Sequence, residues 1–165
     1  MKRYLPHLGV VIGIAIAVYA LFFSDSEEDR IRAKLDQLED AARVSDANTN
    51  IVVRTARVKK EFAEVFDKDV RFEIPELTSD ESGRDVLVGL AAQAPRMYQT
   101  VSVDLGGLDI TVDEAGLTAI AQGPATLTGT RGGQLERDDR TVSLSFDKIE
   151  GDWKVVMVSV SAAGQ

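Results

Sequence analysis

The sequence predicts an α+β domain in which three helices pack inside a strongly bent, mostly antiparallel sheet, preceded by one transmembrane helix. Three observations lead to this prediction. An apolar run occupies residues 5–23, apolar side chains recur at helical spacing between residues 26 and 66, and from residue 100 onward they alternate as they do in strands. A chain of 165 residues is long enough for one domain with a proper core.

The composition limits which partners and which kinds of catalytic or metal site the protein can have. The chain carries 27 Asp and Glu against 19 Lys and Arg, a formal charge of −8, and it has no cysteine. An acidic body argues against nucleic acid as a partner, because such binding relies on clustered bases that neutralise phosphates. Disulfides, thiolate catalysis and cysteine metal sites are excluded.

The amino-terminal run predicts a membrane anchor. Residues 5–23 form an apolar segment just long enough to cross a bilayer, Lys2 and Arg3 precede it, and acidic residues follow it. The positive-inside rule then predicts a cytoplasmic tail at residues 1–4 and an exported domain at residues 24–165. This layout is typical of a single-pass protein of the bacterial inner membrane with a periplasmic or other extracytoplasmic domain. A cleaved signal peptide remains the alternative, because Val18 and Ala20 resemble a small-residue cleavage pattern.

Small residues lie on one face of the predicted span. Gly9, Gly13 and Ala17 are four apart, a spacing that lets two helices approach closely. They are therefore candidate interface residues for a homodimer, although Gly and Ala are also common in unpaired membrane helices.

Two helices are predicted next. Ser26, followed by three acids, is typical of a helix start, and the second helix is predicted from Asn48 to Phe66. The first helix is expected to bury Ile31, Leu35, Leu38 and Ala42, whose 4-3-4 spacing also fits a short coiled coil. The second is expected to bury Ile51, Thr55, Val58, Phe62 and Val65 and to turn Arg54 away.

A strand and a third helix follow. Val70, Phe72 and Ile74 alternate with polar residues until Pro75 ends the predicted strand. The third helix is predicted to begin near Ser79 or Ser82 and to be bent or ended by Pro95.

The first predicted hairpin turns at residues 113–116. Pairing Val112 with Leu117 brings Gly106 opposite Gly123, and this meeting of permissive residues predicts a bend in the sheet. Residues 130–139 are predicted to be a polar, mobile loop.

The last hairpin is predicted to turn at Glu150 and Gly151, with Phe146 opposite Val155 and Leu144 opposite Met157. In this register the apolar residues left on the outer face are Val156, Val158 and Val160. Such a face predicts self-association or contact with an envelope partner.

Three segments carry a family resemblance. The phrases are FAEVFDKDVRFEI, SGRDVLVGLAA and FDKIEGDWKVVMVSV. From Glu28 to Ser161 the chain resembles the nuclear transport factor 2-like superfamily, also described as the SnoaL-like or cystatin-like cone. The resemblance implies a bent sheet wrapped around the helices. The layout of tail, span and exported domain is also similar to the inner-membrane assembly components of type IV secretion systems and to membrane proteins associated with mammalian-cell-entry lipid transport.

The resemblance also implies where an enzyme of this family would hold its acid, His or Tyr, namely inside the cone. The sole histidine, His7, lies beside the predicted span. Among the acids, Glu73 and Asp104 are expected to point outward by alternation, and Asp67 and Asp69 fall in a turn. We therefore predict no catalytic residue, no metal site and no cofactor.

Three functions remain open. The first is a non-catalytic, membrane-anchored module that assembles or scaffolds a cell-envelope complex. The second is a carrier or sensor that binds an apolar small molecule or lipid, and the third is an enzyme that uses Asp67 or Asp69. For the second, the candidate cone-lining residues are Phe72, Tyr98, Phe146, Trp153 and Met157.

Overall fold

A computed structural model describes residues 26–45, 50–75 and 82–163. Three helices come from the first half of these residues: α1 (Glu27–Ala42), α2 (Ile51–Val65) and α3 (Arg84–Met97). The six strands are β1 (Phe66–Glu73), β2 (Thr100–Asp104), β3 (Asp109–Val112), β4 (Thr118–Arg131), β5 (Gln134–Ile149) and β6 (Asp152–Ala162). The α+β prediction with three helices is confirmed.

The strands form one curved, mixed sheet. Its order is β1-β6-β5-β4-β2, and β3 also pairs with β4. Only the β1–β6 pair is parallel among the described strands. The helices cover the inner face, where Trp153, Phe146 and Leu144 of the sheet and Ile31 and Leu35 of α1 are almost fully buried.

The start of α1 matches its prediction. The Ser26 hydroxyl accepts a hydrogen bond from the Asp29 backbone N–H, and the Asp29 carboxylate accepts one from the Ser26 N–H. This reciprocal capping box satisfies amides that the helix itself leaves free. Ile31 and Leu35 are buried as expected, while Ala41 rather than Ala42 completes the buried set.

The second helix begins later than predicted and buries a different residue. It starts at Ile51, because the Asn50 side chain accepts hydrogen bonds from the Val52 and Val53 amides. Ile51 is 43% exposed, whereas Arg54 is only 6% exposed. The prediction for Arg54 was wrong because its guanidinium reaches the carbonyl groups at the end of α1.

The third helix begins at Arg84, after Gly83, and continues two residues past Pro95. Val88 is its buried residue among those described. β2 and β3 pair with β4 on either side of Gly123, the level at which the sequence predicts a bend in the sheet. The register differs from the prediction by two residues, since Val112 pairs with Ala119, and the close approach is between Gly123 and Gly107.

The predicted loop at residues 130–139 is instead the end of a long hairpin. The strands β4 and β5 remain paired out to Arg131 and Gln134. Gly132 and Gly133 make the connection with φ values of 58° and 79°, and a two-residue turn of type I′ requires a positive φ at both central positions. The prediction failed because the polar residues of a ribbon exposed on both sides resemble a loop.

The last hairpin contains a bulge that changes which residues face the core. Phe146 pairs with Val155 as predicted, but Ser145 pairs with Met157 and Leu144 with Val158. The extra residue, Val156, reverses the alternation beyond it. Val158 and Val160 therefore pack against the core instead of forming an outer apolar face, and Met157 lies outside.

Candidate ligand cavity beside the β4–β5 hairpin

A cavity of about 340 Å³ lies between the end of α3 and the inner face of the extended hairpin. One wall comes from α3 and the segment after it, and the other comes from β2, β4 and β5. The lining residues are Ala94, Tyr98, Val101, Leu127, Gly129, Glu136, Arg137 and Asp138. Nearer the β5–β6 turn, the core is filled by large side chains such as Trp153 and Phe146.

The position of Tyr98 is determined by the backbone on both sides of it. Its N–H donates to the Ala94 carbonyl at 2.9 Å as the last contact of α3, and the Gln99 N–H donates to the Thr130 carbonyl at 2.8 Å. The Tyr98 ring then lies over Gly129. A Cβ at Gly129 would be only 2.9 Å from the ring Cδ1, so the close approach of ring and strand requires glycine.

The β2 side of the cavity is held by a short bridge to the end of the first helical segment. The Val44 N–H donates to the Val101 carbonyl at 2.9 Å, and the Val101 N–H donates back at 3.0 Å. This bridge pairs backbone groups at the outer edge of β2 that would otherwise have no partner strand. Val101 therefore faces the cavity from a backbone that is paired on both sides.

Charged residues of β5 form the polar rim. Glu136 and Asp138 are two residues apart and lie on the same face of the strand. The Asp138 carboxylate accepts two hydrogen bonds from the Arg140 Nε, at 3.0 and 2.9 Å. Arg137 makes several hydrogen bonds to Asp139. These bonds, with a second contribution from the Thr126 hydroxyl, lower the pKa of Asp139 below its ordinary value. Asp139 is not itself a lining residue, and the cavity has an apolar wall and a polar margin formed by Glu136, Arg137 and Asp138.

The structure separates the five residues predicted to line the cone. Tyr98 lines the cavity. Phe72, Phe146 and Trp153 are buried in the core, at 6%, 1% and 2% exposure, and Met157 is on the outer face opposite Ser145. Met157 was misplaced because the bulge at Val156 was not visible in the alternating pattern.

None of the candidate acids Asp67, Asp69, Glu73 and Asp104 is among the residues that line the cavity. Asp67 accepts a hydrogen bond from the Asp69 N–H, and Asp104 accepts one from the Gly106 N–H, so both serve local turns. Glu73 is exposed at the end of β1. Within the described ranges, no group of three His, Cys, Asp or Glu residues is placed to hold a metal ion.

Sequence reasoning missed four apolar lining residues, namely Ala94, Val101, Leu127 and Gly129. One signal was present, because a glycine within a strand pattern often marks the close approach of another group. The others belong to regular patterns that equally describe an ordinary core.

The membrane predictions fall on a different part of the chain. Residues 5–23, with Gly9, Gly13 and Ala17, lie outside the described residues. Among the helices that the structure does describe, none combines the length and apolarity that a membrane crossing needs.

The sequence matches no protein-family model, and no curated protein matches it significantly. Solved structures are similar in fold. A nuclear transport factor 2-like superfamily protein from Salmonella enterica has a TM-score of 0.65 at 16% identity, over 84% of this chain and 92% of that one. A protein of the same class with a cystatin-like fold, from Novosphingobium aromaticivorans, has a TM-score of 0.63 at 13% identity, over 99% and 93% of the two chains.

A third similar structure, also from N. aromaticivorans, is provisionally named a scytalone dehydratase. Its TM-score is 0.63 at 12% identity, over 81% of this chain and 82% of that one. At identities this low, the structural similarity shows a shared fold alone. The chain therefore has the nuclear transport factor 2-like cone fold.

Proposed function

We propose that this protein is a non-catalytic binding module which holds an apolar small molecule, or the apolar part of a lipid, in the cavity beside Tyr98. The observation that carries the proposal is the cavity itself. Its volume of about 340 Å³ falls within the roughly 300–1,000 Å³ that is typical of small-molecule sites.

The surroundings of the cavity support an apolar ligand. Leu127 on the strand wall is 39% exposed. On α3, Leu90 and Met97 share the helical face of Ala94 and are 41% and 54% exposed. An apolar ligand that covers such exposed apolar side chains removes their surface from water, which favours binding.

The carrier is preferred to the scaffold for a specific reason. The scaffold prediction relied on Val156, Val158 and Val160 as an outer apolar face, and two of these pack against the core. The outer positions of β5 and β6 are largely small and polar, including Ser143, Ser145 and Ser159. An assembly role now has the layout of the chain in its favour, and a homodimer has the small residues Gly9, Gly13 and Ala17 of the predicted span.

We further propose that the module acts outside the cytoplasmic membrane, anchored by residues 5–23. This part of the proposal depends on the apolar run and its flanking charges. Placed there, an apolar cavity is well suited to a ligand taken from, or presented to, the lipid phase.

The binding site is tested by filling it. Ala94→Phe places an aromatic ring in the cavity, and Gln93→Phe is the matched control, because Gln93 is an exposed neighbour on the same helix. The probe is N-phenyl-1-naphthylamine, an uncharged apolar fluorophore, titrated into the full-length protein in detergent. We expect Ala94→Phe to weaken binding at least about tenfold, which is the loss of roughly 1.4 kcal/mol of contact.

Two results would decide against the cavity. One is equal probe affinity in the wild type, Ala94→Phe and Gln93→Phe, and the other is no saturable binding in the wild type. Thermal unfolding of each variant, followed by circular dichroism, separates a filled cavity from a misfolded protein.

A further inference from the structure

A second, smaller cavity lies between the end of α1 and the start of α2, and it shares no lining residue with the site beside Tyr98. It encloses about 210 Å³. Its polar lining consists of Asp40, Arg43, Asn50, Arg54 and Arg57. Among the described lining residues one acid faces three arginines, so these residues carry a net positive charge in a protein whose total charge is −8.

Arg54 is the unusual member of this lining. It is only 6% exposed, and its two terminal nitrogens donate to the Arg43 carbonyl at 2.7 Å and the Ala42 carbonyl at 3.4 Å. These bonds cap the carboxyl end of α1, whose dipole favours a positive charge there.

Capping does not account for the whole side chain. The Arg54 Nε is buried, and neither a hydrogen-bond acceptor for it nor a carboxylate paired with this guanidinium is found among residues 26–45, 50–75 and 82–163. A buried charge without a counter-ion, and a buried donor without an acceptor, each cost free energy. Burial and the neighbouring Arg57 both lower the pKa of Arg54, which reflects the same unfavourable surroundings.

The other groups at the cavity also favour an anion. The first turn of α2 has no acidic residue, although this end of a helix attracts negative charge. Arg57 is 54% exposed and bonds to Glu61 at 2.9 Å, while Arg43 is 58% exposed and pairs with Asp40 at 3.4 Å. Exposed pairs of this kind are weak, so both arginines are available to a better acceptor.

We propose that this cavity binds a small oxyanion, a phosphate or carboxylate group, which pairs with Arg54 and Arg57. Its volume is several times the roughly 30 Å³ share of one water and below the roughly 300 Å³ of most small-molecule sites, so it suits a group of a few heavy atoms. The guanidinium fork is the side chain best matched to such an anion.

The oxyanion can be free or can be the head group of a lipid. Val52 and Val53 flank the site and are 78% and 63% exposed, which would place apolar surface beside a bound head group. Both sources present the same chemistry to Arg54 and Arg57, and the two arms of the test distinguish them.

The first arm uses equilibrium dialysis of full-length protein in a non-ionic detergent, which has no oxyanion of its own, with radiolabelled inorganic phosphate at constant ionic strength set with chloride. Arg57→Gln removes one cation and does not touch the bonds of Arg54 to the end of α1. Arg96→Gln is the matched control, since Arg96 is an exposed arginine in the last turn of α3. We expect Arg57→Gln to weaken saturable binding about tenfold, the effect of losing one charge-assisted hydrogen bond, and Arg96→Gln to leave it unchanged.

The second arm uses vesicles of phosphatidylcholine with and without phosphatidylglycerol. Binding that requires the anionic lipid and is weakened by Arg57→Gln alone supports a head group, whereas phosphate binding without such lipid dependence supports a free ion. The proposal is overturned if neither probe binds saturably, or if Arg57→Gln and Arg96→Gln reduce binding equally. Arg54→Met is expected to lose binding as well, but it also removes the cap of α1. The result for Arg57→Gln therefore decides the proposal, because this substitution leaves the cap in place.

Discussion

At the scale of single residues, Glu27 joins the start of α1 to the last hairpin. Its carboxylate accepts a hydrogen bond from the Trp153 indole at 2.6 Å and pairs with Lys148 at 2.9 Å, and the Lys148 ammonium lies 5.4 Å from the Trp153 ring centre. The hydrogen bond from Lys148, followed by the one from Trp153, lowers the pKa of Glu27 below its ordinary value of 4.5.

This arrangement predicts a pH-dependent contribution to stability. A carboxyl whose pKa is lower in the folded state stabilises the protein fully above its unfolded pKa and loses that effect as the pH falls through the folded pKa. We expect Glu27→Gln to lower the free energy of unfolding near neutral pH and to match the wild type in strong acid. Urea denaturation at several pH values measures this.

The control is Glu28→Gln, because Glu28 is exposed and adjacent. It should leave the stability nearly unchanged at every pH. A difference between the wild type and Glu27→Gln that persists undiminished in acid would show that the charge of Glu27 is not the cause.

Replacing glycine by alanine is expected to change the stability in opposite directions at two positions. Gly129→Ala places a methyl group against Tyr98, so we expect about 1–3 kcal/mol of destabilisation. Gly89→Ala, inside α3 with nothing within 4 Å of the new Cβ, should stabilise the protein by about 0.5–1 kcal/mol. Thermal and urea unfolding compare the two, and destabilisation by both would contradict the open surroundings of Gly89.

At the scale of elements, the bulge in β6 determines which side chains meet the core. We expect Val158→Asp to destabilise the domain by about 2–3 kcal/mol, because it places a charge against the core, and Met157→Asp to cost about 1 kcal/mol or less. Urea denaturation of both variants tests the register. If Met157→Asp destabilised the domain more than Val158→Asp, the bulge would be wrong and the regular alternation that the sequence predicts would be correct.

Local patterns predicted most element types and few exact registers. The Ser26 cap and the alternation in β5 are local, and the structure confirms them. The bulge at Val156, the two-residue difference at Val112 and the long β4–β5 ribbon depend on how two strands pair. A period-two pattern is the same in either register, so it does not distinguish them.

At the scale of the whole molecule, the chain's lack of cysteine permits a direct test of membrane topology. Leu135→Cys introduces a thiol at a position that is 73% exposed near the end of the β4–β5 hairpin. Lys2→Cys introduces one before the predicted span. We expect a membrane-impermeant maleimide to label Leu135→Cys in intact spheroplasts and Lys2→Cys only after lysis. The opposite pattern, or labelling of both only after lysis, would contradict the exported domain.

The sequence by itself determined the fold class, the order of the helices and strands, the acidic cysteine-free body and the candidate anchor. Each of these follows from composition or from a periodicity within a few residues. The tertiary structure alone decided that Val158 and Val160 face inward, that Arg54 is buried under the end of α1, and that a cavity opens beside Tyr98. The reason is that a cavity and a buried charge are properties of the space between elements, which depends on strand register and helix placement rather than on the pattern within any one of them.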